Sequence, residues 1–159
     1  MRRKKVYVHY GASRFDKSHP LGGGCTGKPD GLWASPKYSA WGWRHWCICE
    51  DYKTESLKKC FRFRLTKDAK IFNVRRFEDI LPYLSKSDDY EDALKLFPSL
   101  FKIDPLFQME LDIPKIKERF DGMEIFFDQN YSEFHDSALM DAFSVDSIVV
   151  WNLDKIICL

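Results

Sequence analysis

Three short segments carry a polar residue where strand patterning would favour an apolar one. In Lys5–Gly11 (KVYVHYG), His9 closes an apolar alternation and is followed by Tyr10 and Gly11; in Ser144–Asn152 (SVDSIVVWN), Asp146 opens the run Ile148, Val149, Val150 and Trp151. Between them, Gly31–Ser35 (GLWAS) leads into an aromatic cluster of Tyr38, Trp41, Trp43 and Trp46. A carboxylate, an imidazole and several indoles in strand-like segments are residue types that can carry chemistry or bind a ligand. Each residue also has a purely structural reading: His9 as a hydrogen-bonded core histidine, the tryptophans as core, Asp146 as the cap of a strand or turn. Glu133 and Asp141, in the segment before Asp146, are the alternative acids.

A second chemical pattern stops short. Gly22 to Lys28 (GGGCTGK) has the GxxxxGK spacing of a phosphate-binding loop, but Pro29, Asp30 and Gly31 follow where a magnesium-binding Ser or Thr and a helix are required. The glycines then read as a flexible loop whose Lys28 could lie near a pyrophosphate. The five cysteines, Cys25, Cys47, Cys49, Cys60 and Cys158, are odd in number and irregularly spaced, which speaks against a disulfide framework and for a reducing cytoplasm. A zinc site would have to join Cys47 and Cys49 to His45 and Cys60, so free cysteine with no metal is the expectation.

The elements that must position these residues follow from periodicity. Strands are expected over 5–10, 32–35, 60–65, 70–74, 123–127 and 145–151, with Cys60–Leu65 (CFRFRL) the clearest alternation. Residues 11–30 read as a long loop. A helix is expected from Lys37 or Ser39, with Tyr38, Trp41, His45 and Cys49 on one face and Trp43, Trp46 and Cys47 on another; further helices fit 77–84, 90–96 and 113–120. Residues 128–144 are polar and poorly periodic. The order is β, loop, β, α, ββ, helices, β, loop, β, which implies an α+β fold with helices beside a split, antiparallel-type sheet.

At 159 residues one domain over 1–159 is expected, and 45% apolar with 16% aromatic content is enough for a packed core. The formal charge of +1 gives no global field toward nucleic acid or anionic membrane. Arg2 to Lys5 is basic, but no apolar stretch follows it as a secretory signal would require, and nothing approaches the roughly 20 apolar residues of a membrane span.

His9-Tyr10-Gly11, Gly31-Leu32-Trp33 with Ser39 and Trp41 or Trp43 behind it, and Asp146 at the start of a late strand resemble, in that order, three segments of the ADP-ribosyltransferase superfamily, in the branch of diphtheria toxin and the poly-ADP-ribose polymerases. In that branch the first strand carries His-Gly, the second Gly, an aliphatic residue and Tyr, and the late strand a catalytic Glu. Here one residue separates His9 from Gly11, Trp33 stands for Tyr and Asp146 for Glu. The chain is also similar to phage and bacterial proteins with a KPxGLW…GW…WC signature, met here by Lys28, Pro29, Gly31 to Trp33, Gly42, Trp43, Trp46 and Cys47. The resemblance covers the two ends and says little about residues 53–121.

What the resemblance implies is cleavage of the nicotinamide–ribose bond of NAD, used as a substrate without a metal, and transfer of ADP-ribose to a macromolecular acceptor, protein or nucleic acid. Asp146 would stabilise the oxocarbenium-like transition state and His9 would bind the adenosine-side ribose. The backbone at Tyr10 or Gly11 would hold the carboxamide, Trp33 and Trp43 would sandwich the nicotinamide, and Ser39 would add a hydrogen bond to the carboxamide. Ser35 and Trp41 complete the cofactor-binding group, and an antitoxin partner in a toxin-like role is a further implication. Two other classes stay open. One is NAD hydrolysis or an NAD-using RNA 2′-phosphotransferase, for which Arg14, Arg44, Arg62 and Arg64 are the available arginines. The other is an inactive nucleotide- or RNA-binding module built on Trp43-Arg44-His45-Trp46.

Overall fold

A computed structural model describes residues 5–18, 29–127 and 143–159. The chain is α+β, with one large, mostly antiparallel sheet and a few short helices. Its elements are β1 (Tyr7–Tyr10), β2 (Leu32–Pro36), α1 (Trp43–Cys49), a 3-10 helix (Thr54–Lys58), β3 (Cys60–Leu65), β4 (Ile71–Val74), a 3-10 helix (Phe77–Tyr83), β5 (Leu84–Lys86), α2 (Tyr90–Leu96), α3 (Pro98–Ile103), β6 (Met109–Leu111), α4 (Ile113–Lys117), β7 (Gly122–Ile125), β8 (Ser147–Val150), a 3-10 helix (Leu153–Lys155) and β9 (Ile156–Cys158). Seven strands run in the order β4-β7-β8-β2-β1-β3-β9, every neighbouring pair antiparallel except β4 and β7, while β5 and β6 form a separate two-stranded ribbon.

The period of two sends alternate residues to two cores on opposite faces. One face takes Phe72, Val74, Met123, Ile125 and Val149 under Ile80, Tyr83 and Ile116; the other takes Tyr7, Leu32, Ala34, Phe63, Ile148 and Val150. Because β7 and β8 are covered on both faces, all their residues are buried, Glu124 and Ser147 included.

Register brings Glu124 opposite Ile148 and Ile148 opposite Ala34. On that same face the Tyr7 hydroxyl, three strands away on β1, donates to Glu124 Oε2 at 3.2 Å, and the Lys5 ammonium pairs with the same carboxylate.

The strand expectations hold to within a few residues, and several helical ones need correction. The helix after β2 begins at Trp43, not at Lys37 or Ser39, because residues 37–42 form a turn tied to other elements by side chains. Residues 77–83 form a 3-10 helix, since Pro82 lacks the amide of a regular α-turn and the Asp79 carboxylate draws the amides of Arg75 and Arg76 into a tight start. The helix expected over 113–120 closes at Lys117, with Asp112 accepting the Lys115 amide as its cap. Strands β5, β6 and β9 and helix α3 are additions. The GxxxxGK segment, Cys25, Lys28, Glu133 and Asp141 lie outside the described residues.

Candidate functional site

The three segments singled out in the sequence lie on neighbouring strands, β1 beside β2 and β2 beside β8. Between β1 and β2 the ladder is short: Tyr7 pairs with Pro36 and Val8 with Ser35, whereas β1 pairs with β3 over four residues. Where the β1–β2 ladder ends, His9 Nδ1 lies 2.7 Å from the carbonyl oxygen of Trp33. The carbonyl can only accept, so Nδ1 carries the proton and Nε2 presents a lone pair. Burial pulls the His9 pKa below the ordinary imidazole value, against a smaller upward pull from the Trp33 carbonyl, so the ring is neutral at pH 7 and Nε2 is an acceptor.

Backbone parity separates the two candidates for holding a carboxamide. The Gly11 amide donates to the Lys59 carbonyl at 2.8 Å, so Gly11 belongs to the β3 side. Antiparallel hydrogen bonding alternates, and it directs the amide and carbonyl of Tyr10 to the β2 side, beyond the last β1–β2 pair. Gly11 has φ of 105°, which turns the chain out of β1 and explains a glycine two residues after His9. Past it, residues 11–16 wall an open groove of about 320 Å³ whose lining includes His9, Arg14, Phe15, Lys59 and Phe61. The rings of His9 and Phe15 both pack on Phe61, at 5.0 and 5.9 Å.

Asp146 is held by the turn that follows β2. Ser39 Oγ donates to Asp146 Oδ2 at 2.7 Å and accepts the Trp41 amide at 3.1 Å, the Asp146 amide donates to the Trp41 carbonyl at 2.9 Å, and Gly42 bridges Asp146 in parallel. The Trp41 indole N–H donates to the Ser144 carbonyl. Continuing the register, Asp146 lies two strands across and two residues along from His9, roughly 12 Å between Cα atoms at standard sheet spacings.

The remaining candidates have other duties. The Ser35 hydroxyl, 4% exposed, accepts the Trp43 amide at 2.8 Å and so satisfies the start of α1; Ser39, expected on a carboxamide, positions Asp146. Trp33 and Trp43 sit in different aromatic groups. The Trp33 ring packs on Phe143 and its N–H donates to the Pro29 carbonyl, while Trp43 stacks on Trp46 at 5.1 Å with Tyr52 at the edge of both. The expected sandwich of these two indoles is therefore not built in advance. Gly31 is required by packing, since a Cβ there would stand 2.7 Å from Val149 Cγ2 and 2.8 Å from the Val150 carbonyl.

No family model, curated protein or solved structure matches this chain. Among the described residues no helix is long and apolar enough to cross a membrane, and no group of three or more His, Cys, Asp or Glu side chains is placed to hold a metal ion.

Sequence reading missed Phe15, Lys59 and Phe61 as groove lining, and named Arg14, which also lines the groove, only as one of four arginines available to a phosphotransferase. Phe61 was visible as part of the alternation of β3, but nothing in that alternation says that its ring faces a groove rather than a core. It also missed Glu124, whose signal is a lone acid inside the strand run MEIFF.

Proposed function

We propose that this chain is an NAD-dependent ADP-ribosyltransferase with the ADP-ribosyltransferase fold, cleaving the nicotinamide–ribose bond and transferring ADP-ribose to a macromolecular acceptor, protein or nucleic acid. The observation that carries the reading is convergence: the segments bearing His9, Trp33 and Asp146, far apart in sequence, occupy adjacent strands, and the sheet opens between β1 and β2 beside His9.

On this reading the dinucleotide lies along the opening. Its adenosine half takes the groove, where His9 Nε2 accepts a ribose hydroxyl, Phe15 and Phe61 offer apolar ring surface and Arg14 and Lys59 supply positive charge for phosphate. The carboxamide meets the Tyr10 amide and carbonyl. As the nicotinamide bond lengthens, positive charge grows on the second ribose, and Asp146, fixed by Ser39 and Trp41, stabilises that charge more than the ground state. Departing nicotinamide takes the bonding electrons, and a nucleophile of the acceptor forms the new bond at the anomeric carbon.

The test is release of nicotinamide from NAD by the purified chain, measured by mass spectrometry. Wild-type protein should release it, and Asp146→Ala should lower the rate by at least about a hundredfold, the usual effect of losing one electrostatic group at a reacting centre. An unchanged rate in Asp146→Ala would remove Asp146 from the chemistry. Free ADP-ribose formed without acceptor would instead favour a glycohydrolase.

A further inference from the structure

We propose that Cys49 is a site of covalent modification by low-molecular-weight disulfides, with His45 as the base that activates its thiol. The two residues are one helical turn apart on α1, both exposed, with Cys49 Sγ 3.4 Å from His45 Nε2. Spacing of i,i+4 puts them on one face of the helix. His45 is steadied on its other side, because its ring packs against the Trp41 indole with centroids 5.4 Å apart. A steadied imidazole beside an accessible thiol is the arrangement that raises thiol reactivity.

The other described cysteines differ in the features that matter. Cys47, two residues away, is fully buried, and burial pushes its thiol pKa up. Cys60 is partly buried on β3. Cys158 is exposed, as Cys49 is, yet lies on the edge strand β9, with no hydrogen bond to an imidazole among the described residues. It is therefore the internal control, an exposed thiol without the base.

The step balances as thiol–disulfide exchange. The Cys49 thiol gives its proton to His45 Nε2, and the thiolate attacks one sulfur of R–S–S–R. The S–S bond breaks, a mixed disulfide Cys49–S–S–R forms, and the leaving thiolate takes the proton from His45 as RSH. Cys49 is oxidised while the released half of the small disulfide is reduced. The adduct would sit on the face of α1 that carries His45, whose ring packs on Trp41 in the turn before the helix, and Trp41 is the residue whose carbonyl takes the Asp146 amide.

The experiment treats the full chain with oxidised glutathione at pH 7 and follows each cysteine by peptide-resolved mass spectrometry. Cys49 should acquire the adduct about tenfold faster than Cys158, in line with general-base activation of an exposed thiol. His45→Gln should bring the Cys49 rate down to that of Cys158 and leave Cys158 unchanged, which also reports that the fold is intact. Equal rates at the two cysteines in wild type, or a Cys49 rate that ignores His45→Gln, would overturn the proposal. The readout needs no NAD chemistry, so it stands whether or not the transferase reading does.

Discussion

Strand β1 is four residues long and its two halves behave differently. Tyr7 and Val8 are buried and laddered on both sides; Tyr10, like the His9 before it, is half-buried and laddered to β3, with the β2 side open beyond Val8. Polar chemistry occurs at both ends. At the closed end, Tyr7 and the preceding Lys5 close on Glu124, a carboxylate 3% exposed, and the Lys5 ammonium also lies 4.5 Å from the Phe126 ring centroid. At the open end, His9 makes one hydrogen bond to a backbone carbonyl and faces the groove. Enclosure of the polar groups, more than their identity, separates the buried network at one end from the accessible groove at the other.

Substitution at the open end should break the comparison most visibly in function. His9→Ala removes the acceptor proposed for a ribose hydroxyl and should raise KM for NAD about fivefold, the equivalent of one neutral hydrogen bond of about 1 kcal/mol. Its thermal stability should change little, because water in the groove can satisfy the Trp33 carbonyl. Steady-state kinetics and a melting curve on the same sample check both halves. A large loss of stability with unchanged KM would reassign His9 as a core residue.

At the closed end the outcome should reverse. Lys5→Met leaves Glu124 buried without its cation and should cost about 1.5 kcal/mol at pH 7, less than for a fully buried pair because the Lys5 side chain is 41% exposed. Urea denaturation measures the loss. The double variant Lys5→Met/Glu124→Gln should recover most of it, since no buried charge is then left unpaired; a double variant as unstable as Lys5→Met would show that the lysine stem, not the charge, stabilises this end.

Much of the sheet was legible because its signals are local. CFRFRL alternates, SIVV is a continuous apolar run of a strand covered on both faces, and both became strands where expected. The order of elements implied a split sheet, whereas the seven strands form one sheet in which the β1–β2 ladder is short; where that ladder stops, an imidazole faces the Trp33 carbonyl, a tertiary event that no periodicity records. The helix start failed for a similar reason. Tyr38, Trp41 and His45 keep helical spacing, but Ser39 bonds Asp146, 107 residues on, and Ser35 supplies the acceptor for the Trp43 amide, so the long-range partners overrode the local period. Ser35, Ser39 and Trp41 were singled out in the sequence, but the contacts they make were not legible there, since a hydroxyl that positions a carboxylate and one that meets a ligand have the same sequence. Strand β9 was hidden by its length, three residues at the sheet edge.

The smallest predicted effect is the sharpest test of the closed end, because it depends on a sign. Burial raises the Glu124 pKa above its ordinary 4.5, the Lys5 ammonium and the Tyr7 hydroxyl pulling part of the way back. The folded chain then holds this proton more tightly than the unfolded chain. The contribution of Glu124 to stability is therefore full below pH 4.5 and is lost as pH rises through the raised folded value. Gln keeps the shape and does not titrate, so Glu124→Gln removes this slope. Relative to wild type the variant should gain as pH is raised from 4 to 7, by under about 1 kcal/mol, because the lost Lys5 pair offsets part of the relief from burying a charge. Melting temperatures of the two proteins across that pH range would show the gap move in the variant's favour. A gap moving the other way would mean that the Lys5 and Tyr7 contacts outweigh burial, and that the closed end of β1 is held by an ion pair strong enough to depress the carboxyl.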